Sequence, residues 1–375
     1  MGSEIRLWWK DRRACRSLRA GVSLHSHTLH SREYLTFVPR YLKAIPLLAW
    51  LVRREARCHG LDDMPQGVFA RAWWTPPLSP RAAWVLERSN VENRLERRAM
   101  VSITDHDNID AASALHAREE SRQTPVSIEW TAPFCGASFH VGVHNLPPHR
   151  AHSLVRSMNE YTAGGPEALL RALLEEMSGC PETLVVLNHP FWDEEGVSAD
   201  VHRVALGKLL GLYGRWVHAL ELNADRPWRE NCATIELARA NALPVVSGGD
   251  RHGCDPSSVV NLTNAADFAE FAQEIRSGHS VMVLLPRLRE SRKVRLFETA
   301  FDILRDHPDH SLGWVRWSDR VFYEATDGTV TSLSALWGRR EPGAVSSFVG
   351  LMGLLGRQTM RPALRWALAE KEASL

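Results

Sequence analysis

Short hydrophobic runs alternate with amphipathic segments along most of the chain. Runs rich in valine, leucine and isoleucine predict eight strands, and segments with helical spacing separate most of them. The predicted strands are 21–25, 99–104, 125–130, 138–144, 183–188, 217–223, 244–249 and 279–285. The predicted helices are 108–121, 165–179, 201–214, 229–242 and 267–278. Such alternation is typical of an α/β fold built on a parallel sheet or barrel.

Two regions interrupt this alternation and define the predicted domains. Residues 35–98 follow the first strand and contain a stretch rich in tryptophan and proline, WWTPPLSPRAAW (73–84). We interpret this region as an insertion over one end of the sheet, either a packed subdomain or a cap that closes a site. Residues 286–375 form a partly helical C-terminal extension that ends in an amphipathic helix, 360–372. The main domain is therefore predicted to span residues 1–285.

Composition and charge exclude several classes of protein. The chain has 375 residues and a net charge of +1, so no overall field attracts nucleic acid or an acidic lipid surface. Six scattered cysteines without a C-x-x-C motif predict unpaired thiols in a cytoplasmic protein. The N-terminus has no secretory pattern. The most apolar stretches, 41–52 and 344–356, are too short to span a membrane and predict buried or surface-docked helices.

Side chains that can bind metals or act as acids and bases lie at the ends of seven predicted strands. Two of them, His25 and His27, are two residues apart, a spacing that places both imidazoles on the same face of a strand. The others are Asp105, His106, Asp107, Glu129, His140, His144, Asn188, His189, Glu221, Asn223, Asp250 and His252. Functional groups gather at the carboxyl ends of strands in α/β sheets and barrels. Burying so many of them is costly unless metal ions compensate, so the pattern predicts a divalent-metal site.

The order of these motifs resembles the PHP family, the polymerase and histidinol phosphatase metal-dependent phosphoesterases. The motifs are His25-Ser-His27, Thr-Asp-His106-Asp, a lone Glu129, His140-Val-Gly, Asn-His189-Pro and Gly-Asp250-Arg-His252, within about residues 20–285. The resemblance implies a distorted seven-stranded (β/α) barrel of the PHP type. It also implies two or three divalent metal ions, for which mixed histidine and carboxylate ligands suit Mn, Zn or Fe.

The same resemblance implies a role for each metal ligand. The ligands of one metal would be His25, His27, Glu129 and Asp250, and Glu129 would bridge to a second metal that His140 and His189 complete. A third metal would be held by His106 and His252. The family's remaining third-site ligand falls at Arg32 or Glu33, of which only Glu33 can coordinate, and His30 is a nearby substitute. This departure leaves the occupancy of the third site open.

The implied reaction is hydrolysis of a phosphomonoester or phosphodiester by a metal-activated hydroxide. The predicted catalytic residues are Glu129, Asp250 and His252, and Arg251 and Arg32 are predicted to bind the phosphate of the substrate. A small phosphoester or a nucleotide is the expected substrate, and a long nucleic acid is less favoured. Two alternatives stay open: a metal-dependent amidohydrolase acting on a C–N bond, and a non-catalytic metal-binding protein of the same fold. The oligomeric state is not indicated.

Four polar neighbours of these residues are expected to play supporting roles. Asp107 is expected to cap the helix that follows it. Asn188 and Asn223 are expected to donate hydrogen bonds that hold the ligands, and His144 to lie behind the site or at the surface.

Overall fold

The computed structural model describes residues 2–39, 50, 54, 57, 65–338, 341–356 and 358–367. The apolar stretch 41–52 lies outside the described residues except for Trp50. The last part of the predicted helix 360–372 lies outside them as well.

The strands are short and distributed over the whole described chain. Their bounds are β1 Gly2–Leu7, β2 Ala20–Ser23, β3 Glu33–Tyr34, β4 Ala72–Trp74, β5 Arg98–Val101, β6 Ile128–Phe134, β7 Ala137–His144, β8 Leu184–Leu187, β9 Ala219–Asn223, β10 Val245–Gly248, β11 Val259–Thr263, β12 His279–Leu284, β13 Val321–Glu324 and β14 Val330–Ser332. All eight strands that the sequence predicts are present. The remaining strands were not predicted, and the two longest of them are β1 and β11.

The helices fill most of the connections between strands. Their bounds are α1 Arg12–Cys15, α2 Pro65–Ala70, α3 Pro80–Asn90, α4 Asp110–His116, α5 Ala151–Thr162, α6 Glu167–Gly179, α7 Ala199–Tyr213, α8 Trp228–Ala240, α9 Phe268–Arg276, α10 Arg292–Leu304, α11 Leu333–Trp337, α12 Gly343–Leu355 and α13 Arg361–Ala367. A π-helical turn, Val91–Leu95, continues α3. The five helices predicted between strands are all found, and α5 and α10 are among those that were not predicted.

The strands form three sheets of mixed direction. The first has the order β1-β12-β11-β2-β5, the second β10-β9-β8-β7-β6 and the third β14-β13-β4-β3. Because β7 runs antiparallel to both of its neighbours, the prediction of a parallel sheet is wrong for this strand, and the unpredicted β11 is antiparallel to its neighbours as well. Only Cys135 and Gly136 separate β6 from β7, both with positive φ (50° and 79°). A connection of two residues closes an antiparallel hairpin and is too short for a parallel crossover.

Single bridges connect the first two sheets, whose continuous ladders do not close a barrel within the described residues. His106 bridges to Glu129 at the edge between β5 and β6, and Ser26 bridges to Arg251 beyond the ends of β2 and β10. The backbone N–H of His27 donates to the Arg251 carbonyl at 3.0 Å. The architecture is therefore a mixed α/β fold of several sheets, and the seven-stranded barrel stays a prediction.

The largest part of the core lies between the second sheet and the helices α5, α6 and α7. Trp130 on β6 is fully buried there, with Met158, Leu174 and Leu209 in the same apolar cluster. The indole N–H of Trp130 donates to the Met158 carbonyl at 3.1 Å, so its polar atom is satisfied inside the core. This packing fixes the strands whose ends carry the predicted ligands.

The third sheet joins two regions that are far apart in the sequence. Strand β4 belongs to the predicted insertion and β13 to the C-terminal extension, and the two pair antiparallel through Trp73 and Phe322. On its other edge β4 pairs with β3. The insertion and the extension thus contribute to one structural unit beside the ends of β2 and β10.

No helix in the described part of the chain is long and apolar enough to cross a membrane. The described cysteines Cys15, Cys135, Cys180, Cys232 and Cys254 are all unpaired. The apolar stretch 344–356 coincides with α12, whose Phe348 and Leu351 are exposed.

Candidate metal centre

The strand ends bring histidines and carboxylates from distant parts of the chain to one buried centre. Four groups of side chains have ligand atoms within 4.8 Å of one another: His27, Glu33, His106 and His252; His25, His27 and Glu129; His25, His189 and Glu221; and His106, Glu129 and His140. Asp250 lies beside the second group, with Oδ1 3.4 Å from His27 Nε2 and 3.6 Å from His25 Nε2. Every metal ligand proposed from the sequence is therefore found in this centre.

The carboxylate of Glu129 lies in the middle of the centre and is fully buried. Its two oxygens face different histidines: Oε2 is 2.8 Å from His25 Nε2, 3.2 Å from His27 Nε2 and 3.4 Å from His106 Nε2, and Oε1 is 3.2 Å from His189 Nε2 and 3.4 Å from His140 Nδ1. A carboxylate with ligands grouped around each oxygen has the arrangement of a residue that bridges two cations.

The backbone turns sharply where three of these side chains enter the centre. His25, His189 and Asp250 have φ values of 61°, 24° and 47°, a region that residues with a side chain seldom adopt. Since β2 ends at Ser23, His25 and His27 do not share the face of a regular strand, as the sequence spacing suggested. The left-handed turn at His25 brings its Nε2 to 3.1 Å from His27 Nε2. Backbone strain of this kind concentrates at functional sites.

Hydrogen bonds on the far side of the rings determine which nitrogens face the centre. The Nδ1 of His25 lies 2.5 Å from Glu221, and the Nδ1 of His27 lies 3.2 Å from the hydroxyl of Ser31, which itself donates to Glu33 at 2.6 Å. Both Nδ1 atoms therefore act as donors, and in the neutral rings each Nε2 keeps its lone pair. Two lone pairs and a carboxylate oxygen then point at one another, an arrangement that needs a proton or a cation between them.

Glu33, named from the sequence as the third-site ligand with His30 as a substitute, lies among the ligand histidines. Its Oε2 lies 3.2 Å from His252 Nε2 and 3.5 Å from His106 Nε2. The Nδ1 of His252 donates to the backbone carbonyl of Asp250 at 2.9 Å, which directs Nε2 towards Glu33. His30 does not belong to this group and lines a neighbouring pocket instead.

Electrostatics of the centre favour positive charge among the acids. Burial lowers the pKa of His27, but hydrogen bonds with Asp250 and Glu129 outweigh it and raise the pKa to about 9. Burial raises the pKa of Glu129, but the neighbouring His25, His106 and His140 outweigh it and hold the pKa well below its usual value. For His106 burial dominates, and its pKa falls to about 4. Imidazoles and carboxylates whose ligand atoms face one another fit divalent cations, which supply the charge that protons would otherwise carry.

Two further carboxylates contact the centre and were not assigned from the sequence. Glu221 accepts a hydrogen bond from the His189 backbone N–H at 2.8 Å in addition to its contact with His25. Glu194, in the loop after β8, lies 2.9 Å from His140 Nε2. The signal for Glu221 was its place at a strand end, whereas nothing in the irregular loop distinguishes Glu194 from its acidic neighbours.

Two glycines give the polar side chains room. A Cβ at Gly248 would lie 1.4 Å from Glu221 Oε1, so β10 passes the carboxylate at a distance that only glycine permits. A Cβ at Gly142 would lie 2.7 Å from Asn188 Oδ1 and 3.1 Å from His144 Nε2. Packing against Asn188 and His144 therefore favours glycine at position 142, in the motif His140-Val-Gly.

The supporting polar residues are arranged largely as expected. Asn188 donates to Glu129 at 2.9 Å and Asn223 donates to Asp250 at 3.1 Å. His144 is buried behind the centre, 2.8 Å from Ser102 Oγ, and burial lowers its pKa to about 3.

The prediction that Asp107 caps a helix is wrong. Its carboxylate accepts from the backbone N–H of Thr131 at 2.7 Å, while Asn108 accepts from the N–H of Asp110 at the start of α4. The left-handed backbone of Asp107 (φ 54°) turns the chain towards β6. Asp107 thus ties the loop that carries His106 to the strand that carries Glu129.

The guanidinium of Arg251 is turned away from the centre, contrary to its predicted role in binding phosphate. It is buried and donates to Glu87 at 3.0 Å and to the carbonyls of Gly253 and His27, both at 2.8 Å. Arg251 therefore holds the two ligand-bearing loops together. The other predicted phosphate-binding residue, Arg32, is exposed and stacks on Trp73, with 5.1 Å between the guanidinium carbon and the ring centre.

A pocket of about 660 Å³ opens beside the group formed by His27, Glu33, His106 and His252. His106 belongs both to that group and to the wall of the pocket, and Arg32 lines the same wall. Aromatic residues of the third sheet form a further part of the lining: Tyr34, Trp73 and Phe322. The pocket therefore connects the candidate metal centre with the exterior along the third sheet.

Comparisons with known proteins give weak likenesses. No protein-family model matches the chain, and no curated protein matches it. Among solved structures, PsfC from Pseudomonas syringae aligns with 16% identity and a TM-score of 0.34, covering 56% of this chain and 83% of that one. An amidohydrolase from Chromobacterium violaceum with bound sulfate and no metal aligns with 15% identity and a TM-score of 0.32, covering 48% and 84%.

A third solved structure, from Bifidobacterium adolescentis, carries the provisional name of metal-dependent phosphoesterase. It aligns with 13% identity and a TM-score of 0.34, covering 66% of this chain and 90% of that one. Likeness at this level carries no argument about activity, so the function has to be argued from the side chains of the centre.

Proposed function

We propose that this protein is a metal-dependent phosphoesterase of the PHP type. The observation that carries the proposal is the position of Glu129, whose two carboxylate oxygens lie between separate sets of imidazoles. The ligand sets are His25, His27, Glu129 and Asp250 for one ion, Glu129, His140 and His189 for a second, and Glu33, His106 and His252 for a third. Ions held there, Mn, Zn or Fe, supply Lewis-acid activation of water and offset charge on a phosphoryl group.

Residues around the proposed ions orient the metal ligands and bind the substrate. Glu221 and Asn223 orient His25 and Asp250 through the hydrogen bonds described above, and the buried Glu129 keeps its charge at neutral pH. Arg32 extends a permanent positive charge into the pocket beside His106, where it binds phosphoryl oxygens of the substrate. His252 is the more exposed of the two histidines of the third set, and where its Nε2 holds a proton instead of an ion, it would donate that proton to the leaving group.

We further infer that the seven strands β2 and β5 to β10 act together as the distorted barrel of this family. Support comes from two single bridges: His106 with Glu129 joins the chain after β5 to β6, and Ser26 with Arg251 joins the segments that follow β2 and β10. Both bridges involve or adjoin residues of the centre. Irregular pairing at these edges frees backbone positions to turn side chains inward.

The proposal is tested with Glu129→Gln, which keeps the shape of the side chain and removes its charge. Purified protein is reconstituted with Mn²⁺, its metal content is measured, and turnover of p-nitrophenyl phosphate and bis-p-nitrophenyl phosphate is compared with that of a panel of amides. We expect wild type to hold two or more ions and to cleave a phosphoester. The variant should lose at least one ion and about 100-fold or more of the rate.

Glu160→Gln serves as the matched control, since Glu160 is exposed on α5, away from the centre. Amide turnover without phosphoester turnover would show the alternative reaction on a C–N bond. Fewer than two ions per wild-type chain, or unchanged phosphoester turnover in Glu129→Gln, would overturn the proposal.

A further inference from the structure

The third sheet presents two different rows of side chains to its surroundings. In the first row Glu33 pairs with Trp74, and both reach the metal centre: Glu33 lies 3.2 Å from His252 Nε2, and the Trp74 ring lies 5.7 Å from the His252 ring. In the next row Tyr34 pairs with Trp73. Since neighbouring residues of a strand point to opposite faces, this second row faces away from the ligands.

The second row is an aromatic ladder that crosses three strands. Tyr34 on β3, Trp73 on β4 and Phe322 on β13 are cross-strand partners. Their ring centres are 6.2 Å apart between Tyr34 and Trp73 and 5.8 Å apart between Trp73 and Phe322. Trp314 extends the ladder, 5.1 Å from Phe322. All four rings line the pocket of about 660 Å³.

Core packing alone does not account for this ladder. Trp73 is buried at its centre, but Tyr34 is 42% exposed and Phe322 is half-buried. Aromatic surface left open beside a polar centre is typical of ligand pockets, which combine apolar walls with a few polar groups. Arg32 stacks on Trp73 and lines the same pocket as the ligand His106.

The opposite wall of the pocket is polar. It is formed by the loop from His106 to Asp110 and by the C-terminal end of α5, including Asn159 and Thr162. Asp110 is exposed there and offers a carboxylate to hydrogen-bond donors. The pocket is thus built for a flat aromatic group that carries donors on its edge, with a phosphate group at the end marked by Arg32 and His106.

We propose that the pocket binds the organic part of the substrate and selects phosphoesters that carry a nucleobase-sized aromatic ring. The inference rests on the proposed phosphoesterase function and adds the substrate class. The ring stacks on the ladder of Tyr34, Trp73 and Phe322. The phosphoryl group meets Arg32 and the third ligand set. Specificity therefore comes from the insertion and the C-terminal extension together.

The test compares substrates that differ only in the base. Adenosine 5′-monophosphate is paired with ribose 5-phosphate, and the p-nitrophenyl diester of thymidine 5′-phosphate is paired with the p-nitrophenyl diester of 2-deoxyribose 5-phosphate. Stacking of one base on aromatic side chains corresponds to about a 5- to 150-fold effect. We expect kcat/KM to favour the base-carrying member of a pair by about tenfold or more, mainly through KM.

Three variants separate stacking from folding. Tyr34→Ala should lower the preference about fivefold or more while turnover of the base-free substrate is kept. Tyr34→Phe should retain the preference, because the ring remains. Phe348→Ala removes a somewhat more exposed ring from α12 and should change the turnover of neither substrate. Equal kcat/KM for both members in wild type, or an equal loss of both in Tyr34→Ala, would overturn the inference.

Equilibrium binding separates this inference from the proposed function. Adenosine 5′-monophosphate and ribose 5-phosphate are titrated into the Mn²⁺-loaded protein in a calorimeter. If the nucleotide binds preferentially, this preference is lost in Tyr34→Ala and no phosphoester is hydrolysed, the proposed base-binding pocket is supported and the proposed reaction is refuted. Hydrolysis of base-free phosphoesters without preferential binding of the nucleotide would support the proposed reaction and refute base selection by the pocket.

Discussion

Replacement of Glu221 by glutamine tests whether this carboxylate prepares His25 for metal binding. Glu221 accepts from His25 Nδ1 at 2.5 Å through one oxygen. Through the other it accepts from the backbone N–H of His189 at 2.8 Å and from the amide of Asn223 at 3.3 Å. A glutamine has a single acceptor oxygen. If that oxygen faces His25, the new NH2 group meets two other donors.

The size of the effect follows from these contacts. The variant loses one charge-assisted hydrogen bond, which contributes about 1.5–3 kcal/mol. Loss of a carboxylate that orients a metal-binding histidine typically lowers metal affinity about 10- to 100-fold. Since every 1.4 kcal/mol corresponds to a factor of ten, the two magnitudes agree. We therefore expect Glu221→Gln to weaken the binding of the ion at His25 about 10- to 100-fold.

Calorimetric titration of the metal-free protein with Mn²⁺ measures this loss directly. Glu160→Gln again provides the same chemical change on an exposed helix position and should bind as wild type. The circular dichroism of Glu221→Gln should match that of wild type, because the side chain keeps its volume. Mn²⁺ affinity within twofold of wild type would refute the reasoning that Glu221 orients His25.

Three further predictions concern the surroundings of the centre. Gly248→Ala places a Cβ 1.4 Å from Glu221 Oε1, so we expect a loss of about 1–3 kcal/mol in urea unfolding together with weaker metal binding. Arg251→Met leaves Glu87 buried without its cation and should cost about 3–5 kcal/mol of stability. Burial lowers the pKa of His218 to about 3 in the folded protein. Below pH 6.5 the unfolded chain therefore binds a proton at His218 that the folded protein does not. The free energy of unfolding should fall by roughly 3–5 kcal/mol as the pH drops from 6.5 towards 3.

Each of these predictions has its own control. Gly207→Ala, inside α7 with open space around the new Cβ, should stabilise the protein by about 0.5–1 kcal/mol, and similar behaviour of Gly248→Ala would contradict the argument. Arg251→Met should leave the KM of the phosphoester unchanged. A selective rise in KM would show that Arg251 binds the substrate after all. His218→Asn keeps an acceptor for the Val185 N–H, and an unchanged pH dependence of stability would rule out His218 as its source.

The elements predicted best from the sequence are those whose signal is local. Runs such as TLVVLN and PVVSGG became β8 and β10 because a buried strand needs continuous apolar residues. For the same reason, the sequence predicts that His189 and Asp250 directly follow the ends of strands. The position of a polar residue relative to such a run is thus readable, and the ligands proposed in this way all lie in the centre, although Glu221 and Glu194 were not among them.

Elements that depend on distant partners were not predicted. Strand β1 has partly exposed side chains at the edge of its sheet, so its sequence, GSEIRL, lacks a strong apolar run. Strand β4 is only three residues long and pairs with residues near 321. The cost of closing such a long loop leaves no trace in the local pattern. Glu194 was missed for a related reason, because an irregular loop has no periodicity that would orient its side chains.

The choice between Arg32 and Glu33 shows how pairing register divides roles between adjacent residues. The resemblance placed the third-site ligand at one of these two positions, of which only Glu33 can coordinate. In the structure Glu33 pairs with Trp74 and turns towards His252, whereas Arg32 turns the other way and stacks on Trp73. A slip of one residue in β3 would exchange the two faces. It would put a guanidinium among the candidate ligands and a carboxylate in the pocket, so the short β3–β4 pairing maintains both the candidate metal centre and the positive charge that we propose binds phosphate.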